Sequence, residues 1–473
     1  MKMTFSKLPS LFTIAVAFLQ VTGASLHSSS IDVRGESHHV TDYIQRDIVV
    51  IGGGSTGTYA AVRLLDSGKS VVIVEKENRL GGHTNTFTDP TTGITDDYGV
   101  VVFHNTSLVR NYTSRLNVTM SAADSLSPSP LFYADLRTGV VNSTYSQGNI
   151  TSGLMKYTQQ LSKYPYVESG FDLPDPVPAD LLLPFGDFAI KYDLGQAFLA
   201  FLFQYAQGLG DILAHPTLYV FKNFGLGVIE GVIHGFIATA GRDNSLIYEH
   251  ATDVIGEENI LFNSDIIHVE RSETCTRVVV KTANGVKIIE AQKLVFTIPP
   301  KIENLKGWDL STSEQSLFQQ FNNSGFYAAV VNNTGMPSGT NIINIGSNTT
   351  YGFSVLPAIY VLYQTAIPNL YNIYFGSATS LSDDFVKAEI LAELNRLQLP
   401  NKTSSTPDIV AYTRHTPFEL WVGSDAIEKG FYRDLYALQG QRNTWYTGAA
   451  FHTHDSSLLW EFTEGLIANI TAA

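Results

Sequence analysis

The sequence predicts an α/β protein organised on a βαβ dinucleotide-binding unit at residues 47–83. Three observations carry this. A short apolar run precedes glycines at G-x-G-x-x-G spacing, a helical pattern follows them, and a second apolar run ends on an acid. The first run, Ile48–Ile51, suits a buried parallel strand. Of Gly52, Gly54 and Gly57, the first permits a tight turn and the second lets a pyrophosphate approach the backbone. The third lets the helix pack closely on the strand. The helix is predicted over Thr56–Ser67, with Ala60, Ala61, Leu64 and Leu65 on one face and a stop at Gly68. Its start, with Ser55 and Thr56, offers N–H groups and a positive dipole end to phosphate. The next strand, Ser70–Val74, ends at Glu75 and Lys76. A carboxylate at Glu75 can accept both hydroxyls of an adenosine ribose. A glycine-rich loop in some other α/β unit is the competing reading.

Directly after the acid comes Arg79-Leu80-Gly81-Gly82-His83. A second glycine pair lets another backbone segment approach the cofactor. Together the two motifs resemble the flavin-containing amine oxidase superfamily, and within it the fungal flavoenzymes of the β-cyclopiazonate dehydrogenase type. The resemblance, and not the spacing alone, implies FAD instead of NAD. It implies a Rossmann-like FAD-binding domain with an interleaved α+β substrate domain, and it covers Asp47–Gly99, Asn259–Pro300 and Trp445–Ile470. It places Gly52, Gly54, Ser55, Thr56, Gly57, Glu75, Lys76, Gly81, Gly82 and His83 on the cofactor.

In the segment Thr95–His104, the same likeness sets Gly99, Val100 and Val101 along the isoalloxazine; a plain buried strand is the alternative. His104 reads as an acid or base, or as an ordinary hydrogen-bonded histidine. In the middle block the likeness brings the backbone of Val269 to the adenine. Many relatives then hold a water with a lysine near the flavin. Lys306 and Lys301 compete for that place, and a solvated lysine is the plainer reading. At the C-terminus, Gly448, Ala449, Ser457, Leu458 and Leu459 match a glycine turn and a helix start aimed at the pyrimidine end of the flavin. Ala450 and Ser457 depart from the superfamily pattern, which often has an acid and a glycine there. Trp445 and Tyr446 offer an aromatic face near that turn.

The whole chain sets bounds. Its 473 residues are 44% hydrophobic and 16% charged, enough for a large core in two interleaved domains. A net charge of −14 argues against a nucleic-acid or anionic-membrane partner. One cysteine, Cys275, permits no intrachain disulfide and no Cys-rich metal site. His452 and His454 are the only histidines separated by one residue, a pairing expected to be incidental.

In chain order, Met1–Ala24 reads as a secretory signal, with Lys2 and Lys7 before the apolar run Leu11–Leu19. An uncleaved anchor is the alternative, but the run is too short to span a bilayer. Ser25–Gln45 reads as a polar, mobile lead-in. The FAD-binding parts are expected at residues 25–104, 242–300 and 413–473, and the substrate parts at 105–241 and 301–412. Pro165–Pro184 reads as a surface crossing. Leu194–Ile212 and Val228–Ala240 read as apolar helices over a pocket. Ala283-Asn284-Gly285 signals a hairpin. Phe326–Val331, Tyr351–Val355 and Asn372–Phe375 read as strands, and Tyr360, Tyr363 and Tyr374 as pocket candidates or core. Ser382–Leu399 reads as a helix ended by Pro400. Sequons stand at Asn105, Asn111, Asn117, Asn142, Asn149, Asn322, Asn332, Asn348, Asn401 and Asn469, in keeping with a secreted glycoprotein.

The expected function is FAD-dependent oxidation of an apolar small molecule, with an amine as a candidate group, by hydride transfer to the flavin. No side chain stands out as the catalyst. A redox-neutral isomerase and a non-catalytic secreted binding protein are the alternatives. No metal, nucleic acid or stable membrane insertion is expected, and the oligomeric state is open.

Overall fold

The computed structural model describes residues 30–123 and 131–472. The expected signal sequence, Met1–Ala24, lies outside them. Two eight-stranded sheets organise the described chain. The first runs in the order Ile260–Leu261, Val71–Val74, Glu36–Ile51, Gly285–Phe296, Thr276–Thr282 and Asp265–Arg271. Thr444–Tyr446 pairs parallel with the end of Gly285–Phe296. The strands through Val71–Val74, Glu36–Ile51 and Gly285–Phe296 are parallel. Parallel strands are covered on both faces, which explains their unbroken apolar runs. Ile48, Val50, Val71 and Ile73 pack beneath the helices Ser55–Asp66, Leu246–Ile255 and Ser456–Thr471. Val49, Ile51, Val72 and Val74 face the other way, into the largest core.

Residues 30–45, within the stretch expected as a mobile lead-in, are two strands joined by a turn at Arg34-Gly35. Ser30–Val33 pairs with Glu36–His39, and Val40–Arg46 runs beside Val286–Ala291. Val33 packs on Val279 and Val286. One apolar side chain in several suffices here because the middle block supplies the partner strand, which the local sequence does not reveal.

The second sheet runs Asp408–Arg414, Asn322–Asn332, Tyr371–Ser377, Ala358–Gln364, Asn341–Asn344, Leu131–Asp135 and Val140–Val141. Phe418–Trp421 joins the start of Asn322–Asn332. The second sheet therefore extends to Trp421, past the expected boundary at 412, which falls inside a strand. Its outer face is covered by the helix Asp383–Arg396 through Val386, Ile390 and Leu394. Its inner face turns toward the first sheet and the helices of residues 151–234.

Three local expectations change. The predicted strand at Tyr351–Val355 is a turn built on Thr350–Gly352, where Tyr351 has φ 59°. The proline-rich stretch does not simply cross the surface: Pro165 and Pro178 open short helices, and Val167, Phe171 and Leu181 are buried. The helix Leu226–His234 ends at Gly235 (φ 95°), after which Ile237–Thr239 is a strand.

Candidate cofactor and substrate site

The glycine motif adopts the geometry its spacing requires. Gly52 turns the chain off the strand with φ 96°. A Cβ at Gly57 would stand 1.9 Å from the Gly52 carbonyl oxygen, so helix and strand touch backbone to backbone. A Cβ at Gly54 would meet nothing nearer than the Gly82 Cα at 3.9 Å. Gly54 also caps the helix Ser55–Asp66 with no side-chain hydrogen bond and no acid in its first turn. The helix N-terminus thus stays free for an anion.

Glu75 is buried at the end of its strand. Its Oε2 accepts from the Gly53 N–H at 2.6 Å and its Oε1 from the Glu77 N–H at 2.8 Å. Each carboxylate oxygen keeps a second lone pair for a ribose hydroxyl. Lys76 points into solvent beside Glu77. The second glycine pair packs on the first, Gly81 donating to the Gly53 carbonyl at 2.8 Å. Arg79 holds this loop from behind. Its guanidinium donates to the carbonyls of Leu80, Gly82 and Thr84 and to Asn85 Oδ1 at 2.6–3.0 Å. The segment after Tyr98 lies on the same loop, with Val100 N–H donating to the His83 carbonyl at 3.2 Å. Asn244 Nδ2 fixes its course by donating to the carbonyls of Val100 and Val101 at 2.8 and 3.1 Å. Gly82 is exposed, and Gly54, Ser55, Gly99, Val100 and Val101 are half-buried.

The C-terminal helix Ser456–Thr471 brings a second N-terminus to the same place. Ser55 Oγ lies 2.9 Å from Ser456 Oγ, and Trp460 Nε1 donates to Ser55 Oγ at 2.9 Å. Asp455 caps the helix by accepting from Leu458 N–H at 3.0 Å. Gly448 and Ala449 turn the chain from the strand Thr444–Tyr446 toward this helix. Leu458 and Leu459 are buried in its first turns.

Known proteins fit this architecture. Residues 50–116 match the NAD(P)-binding Rossmann-like domain family. An FAD-dependent oxidoreductase of Cochliobolus heterostrophus is 42% identical over 463 residues, 95% of each chain. The chain belongs to the family of FAD-dependent oxidoreductases. The β-cyclopiazonate dehydrogenase of Aspergillus oryzae is 35% identical to this oxidoreductase over 440 residues, 91% of this chain and 94% of that one. Among solved structures, a CLA-producing fatty acid isomerase from P. acnes superposes with a TM-score of 0.73 at 17% identity, over 90% of this chain and 99% of its own. Putrescine oxidase superposes with a TM-score of 0.66 at 15% identity, over 91% of this chain and 100% of its own. At such identities the likeness concerns the fold.

The residues of the oxidoreductase fit a dinucleotide. Two helix N-termini converge beside Gly54 and Ser456. Tyr248 OH lies among the hydroxyls of Ser55, Thr84 and Ser456. Tyr248 OH and Thr84 Oγ1 are both buried without a hydrogen-bond partner among the described residues. Unpaired buried donors cost stability unless a ligand satisfies them, and phosphate oxygens suit these. No motif marks Tyr248 or Thr84, because Tyr248 arrives from a helix remote in sequence.

Beyond Gly82 the site opens onto aromatic rings. His83 stacks on His415 with centroids 4.2 Å apart, and lies parallel to His454 at 6.0 Å. Phe418 packs on His454 at 4.0 Å and on Phe326 at 5.0 Å, and Phe326 stacks with Tyr374 at 6.0 Å. Phe326, Tyr363 and Tyr374 are half-buried, whereas Tyr360 is core. Glu419, next to Phe418, has φ 44° and a buried Oε2 with no partner among the described residues. Burial pushes its carboxyl up to about 8. His415 and Glu419 carry no local motif; the second sheet's last strands deliver them.

Some expected residues are elsewhere. Val269 pairs with Gly307, its N–H donating to that carbonyl at 3.0 Å. It lies five residues, roughly 16 Å of strand, beyond Ser264, whose N–H reaches the Glu75 carbonyl at 3.0 Å. The strand Asp265–Arg271 runs away from Glu75, so its start, and not Val269, lies nearest the ribose end. Lys301 Nζ donates to the Phe321 carbonyl at 2.8 Å and Lys306 is exposed. Tyr446 faces away from the pocket: it is buried, with its hydroxyl on Glu314 and accepting from Arg271 at 3.1 Å. His452 and His454 diverge, His452 Nδ1 meeting Lys222 Nζ at 2.9 Å and His454 Nε2 accepting from the Glu419 N–H at 2.9 Å.

Proposed function

We propose that this oxidoreductase holds FAD along the track from Glu75 through Gly54 and Gly82 to the start of the C-terminal helix, and oxidises an apolar small molecule by hydride transfer. Glu75 takes the ribose hydroxyls, while Gly54, Ser55, Thr84 and Tyr248 face the pyrophosphate. Gly99, Val100 and Val101 flank the ring. The flavin supplies the hydride acceptor. The observation that carries the reading is the pair of converging helix N-termini with unpaired hydroxyls beside them, opening onto an aromatic wall. The helix Ser456–Thr471, capped by Asp455, brings its N-terminus to the pyrimidine edge, where negative charge develops on reduction. Phe326, Tyr363, Tyr374 and Phe418 present a dry face to the substrate, which excludes water from the transfer. An amine is a candidate group on that substrate, and the fungal relatives support a role in secondary metabolism.

Anaerobic mixing with a substrate should bleach the flavin band, and air or an artificial acceptor should restore it. Product formed with no acceptor and no bleaching overturns this reading in favour of a redox-neutral isomerase. The flavin is held without a bond to cysteine, since Cys275 lies exposed in the turn between two outer strands of the first sheet. Attachment through a histidine such as His83 is the alternative; acid precipitation should leave the yellow colour in solution, and colour retained in the pellet would overturn this.

The chain is exported and N-glycosylated. Nine sequon asparagines, all but Asn332, are exposed, which supports this. A mature terminus near Ser25 and a mobility shift on deglycosylation are expected from a eukaryotic host; an intact Met1 and no shift would overturn it.

A further inference from the structure

Three imidazoles meet next to Gly82, and their hydrogen bonds divide them into two classes. His415 Nε2 lies 3.2 Å from Asn85 Nδ2. The Asn85 amide cannot flip, because its Oδ1 accepts from Arg79 at 2.6 Å and its Nδ2 also donates to the His83 carbonyl at 3.0 Å. A donor therefore fills the Nε2 lone pair of His415. The backbone N–H of Glu419 fills that of His454 in the same way. Each ring carries its one proton on Nδ1 and has no site for a second. His83 stands between them with no hydrogen bond to any described residue, and it is half-buried instead of sealed.

We infer that His83 is the proton acceptor of the redox site. When the substrate C–H bond gives its hydride to the flavin, the proton leaving the substrate N–H or O–H passes to the free imidazole nitrogen of His83, and the substrate gains the C=N or C=O bond. Two electrons and one proton stay on the flavin, and one proton stays on His83. His415 and His454 hold the ring by stacking and remain neutral throughout.

The surrounding charges agree with this direction. Burial, and then Lys76 and Arg79, hold His83 down to about 4. From the second sheet His415 faces it, from the C-terminal segment His454, and one residue further the Asp455–His104 pair. Neither His415 nor His454 adds charge, since both are held well below the usual imidazole range, by burial first and then by their neighbouring rings. A reduced, negative flavin reverses that balance and draws a proton to His83. The inference rests on the proposed FAD track.

The test needs no substrate. Photoreduction of the purified holoenzyme gives the flavin midpoint potential between pH 5 and 7. Each proton bound with the electron pair adds about 30 mV per pH unit. The wild type should show a slope of about 60 mV, falling to about 30 mV in His83→Asn and His83→Phe. Equal slopes in wild type and variants, or a wild-type slope near 30 mV, overturn the inference. A second measurement covers variants that lose FAD. Carbethoxylation of wild type, read by mass spectrometry, should modify His83 and spare His415 and His454, and should slow several-fold at His83 once the flavin is reduced. Equal labelling of His83 in both redox states overturns it. Protein purified without yellow colour or extractable FAD would overturn the FAD track instead, a separate outcome.

Discussion

His104 Nε2 lies 3.2 Å from Asp455 Oδ2, and this contact joins the first cofactor segment to the start of the C-terminal helix. The His104 backbone N–H also donates to Ser457 Oγ at 3.0 Å. Burial opposes charge on both partners. The Asp455 carboxylate nevertheless raises His104, and His104 together with the helix N–H groups holds Asp455 below its usual range. The pair fixes where the helix N-terminus points, and so where the proposed flavin edge finds its positive dipole.

The pair should give stability with a defined pH window. The His104 contribution is complete below pH 6.5 and is lost as pH rises through the raised value. The Asp455 contribution is complete above pH 3.8 and is lost as pH falls through the lowered one. Asp455→Asn keeps a capping side chain and removes the charge. Urea unfolding should show the largest loss between pH 4 and 6.5, roughly 1.5–3 kcal/mol, shrinking toward pH 9. A loss that does not change with pH would show that the cap alone matters.

Glu75→Ala should weaken FAD binding by about 1.5–3 kcal/mol, the range for hydrogen bonds to a charged group. That is roughly tenfold to a hundredfold in Kd, read by the recovery of free-flavin fluorescence on dilution. Because Glu75 also accepts from Gly53, part of the loss comes from a looser glycine turn. An unchanged Kd in a folded variant would move the ribose contact to another residue.

Gly57→Ala should abolish holoenzyme assembly. Its methyl would stand 1.9 Å from the Gly52 carbonyl oxygen, and neither backbone segment can move without breaking the strand or the helix. Gly68→Ala is the control for lost glycine: its Cβ meets nothing within 4 Å, although its φ of 78° adds strain. Soluble yellow protein from Gly57→Ala would contradict the packing.

Glu393 lies buried under the second sheet, with Oε2 accepting from the Ile359 N–H at 3.1 Å. Burial pushes its carboxyl up to about 8 from an ordinary 4.5. Stability from this group is full below pH 4.5 and falls as pH rises toward 8. Glu393→Gln should therefore be close to neutral at pH 5 and relatively more stable at pH 8, by on the order of 3 kcal/mol. Denaturant midpoints at the two pH values check this; parallel shifts would place the charge elsewhere.

Local chemistry was enough to read the cofactor end. The roles of Gly52, Gly54, Gly57 and Glu75 follow from what a tight turn, a backbone approach and a terminal carboxylate demand within a few residues of one another. The strand at Ile48–Ile51 could be read because burial on both faces leaves an unbroken apolar run, and the helix after it because its apolar residues recur at helical spacing. The Ala283-Asn284-Gly285 hairpin carried its own turn chemistry. The tertiary structure alone decided what depends on partners distant in sequence. Residues 30–45 form strands because the middle block lies beside them. Val269 misses the Glu75 end because its strand runs away from that end toward Gly307, and Tyr446 turns to Arg271 and Glu314. Tyr248, His415 and Glu419 reach the site from separate elements. Spacing along a chain encodes what neighbours can do together; whether a free imidazole at His83 meets two locked ones is set by packing, which short-range sequence does not encode.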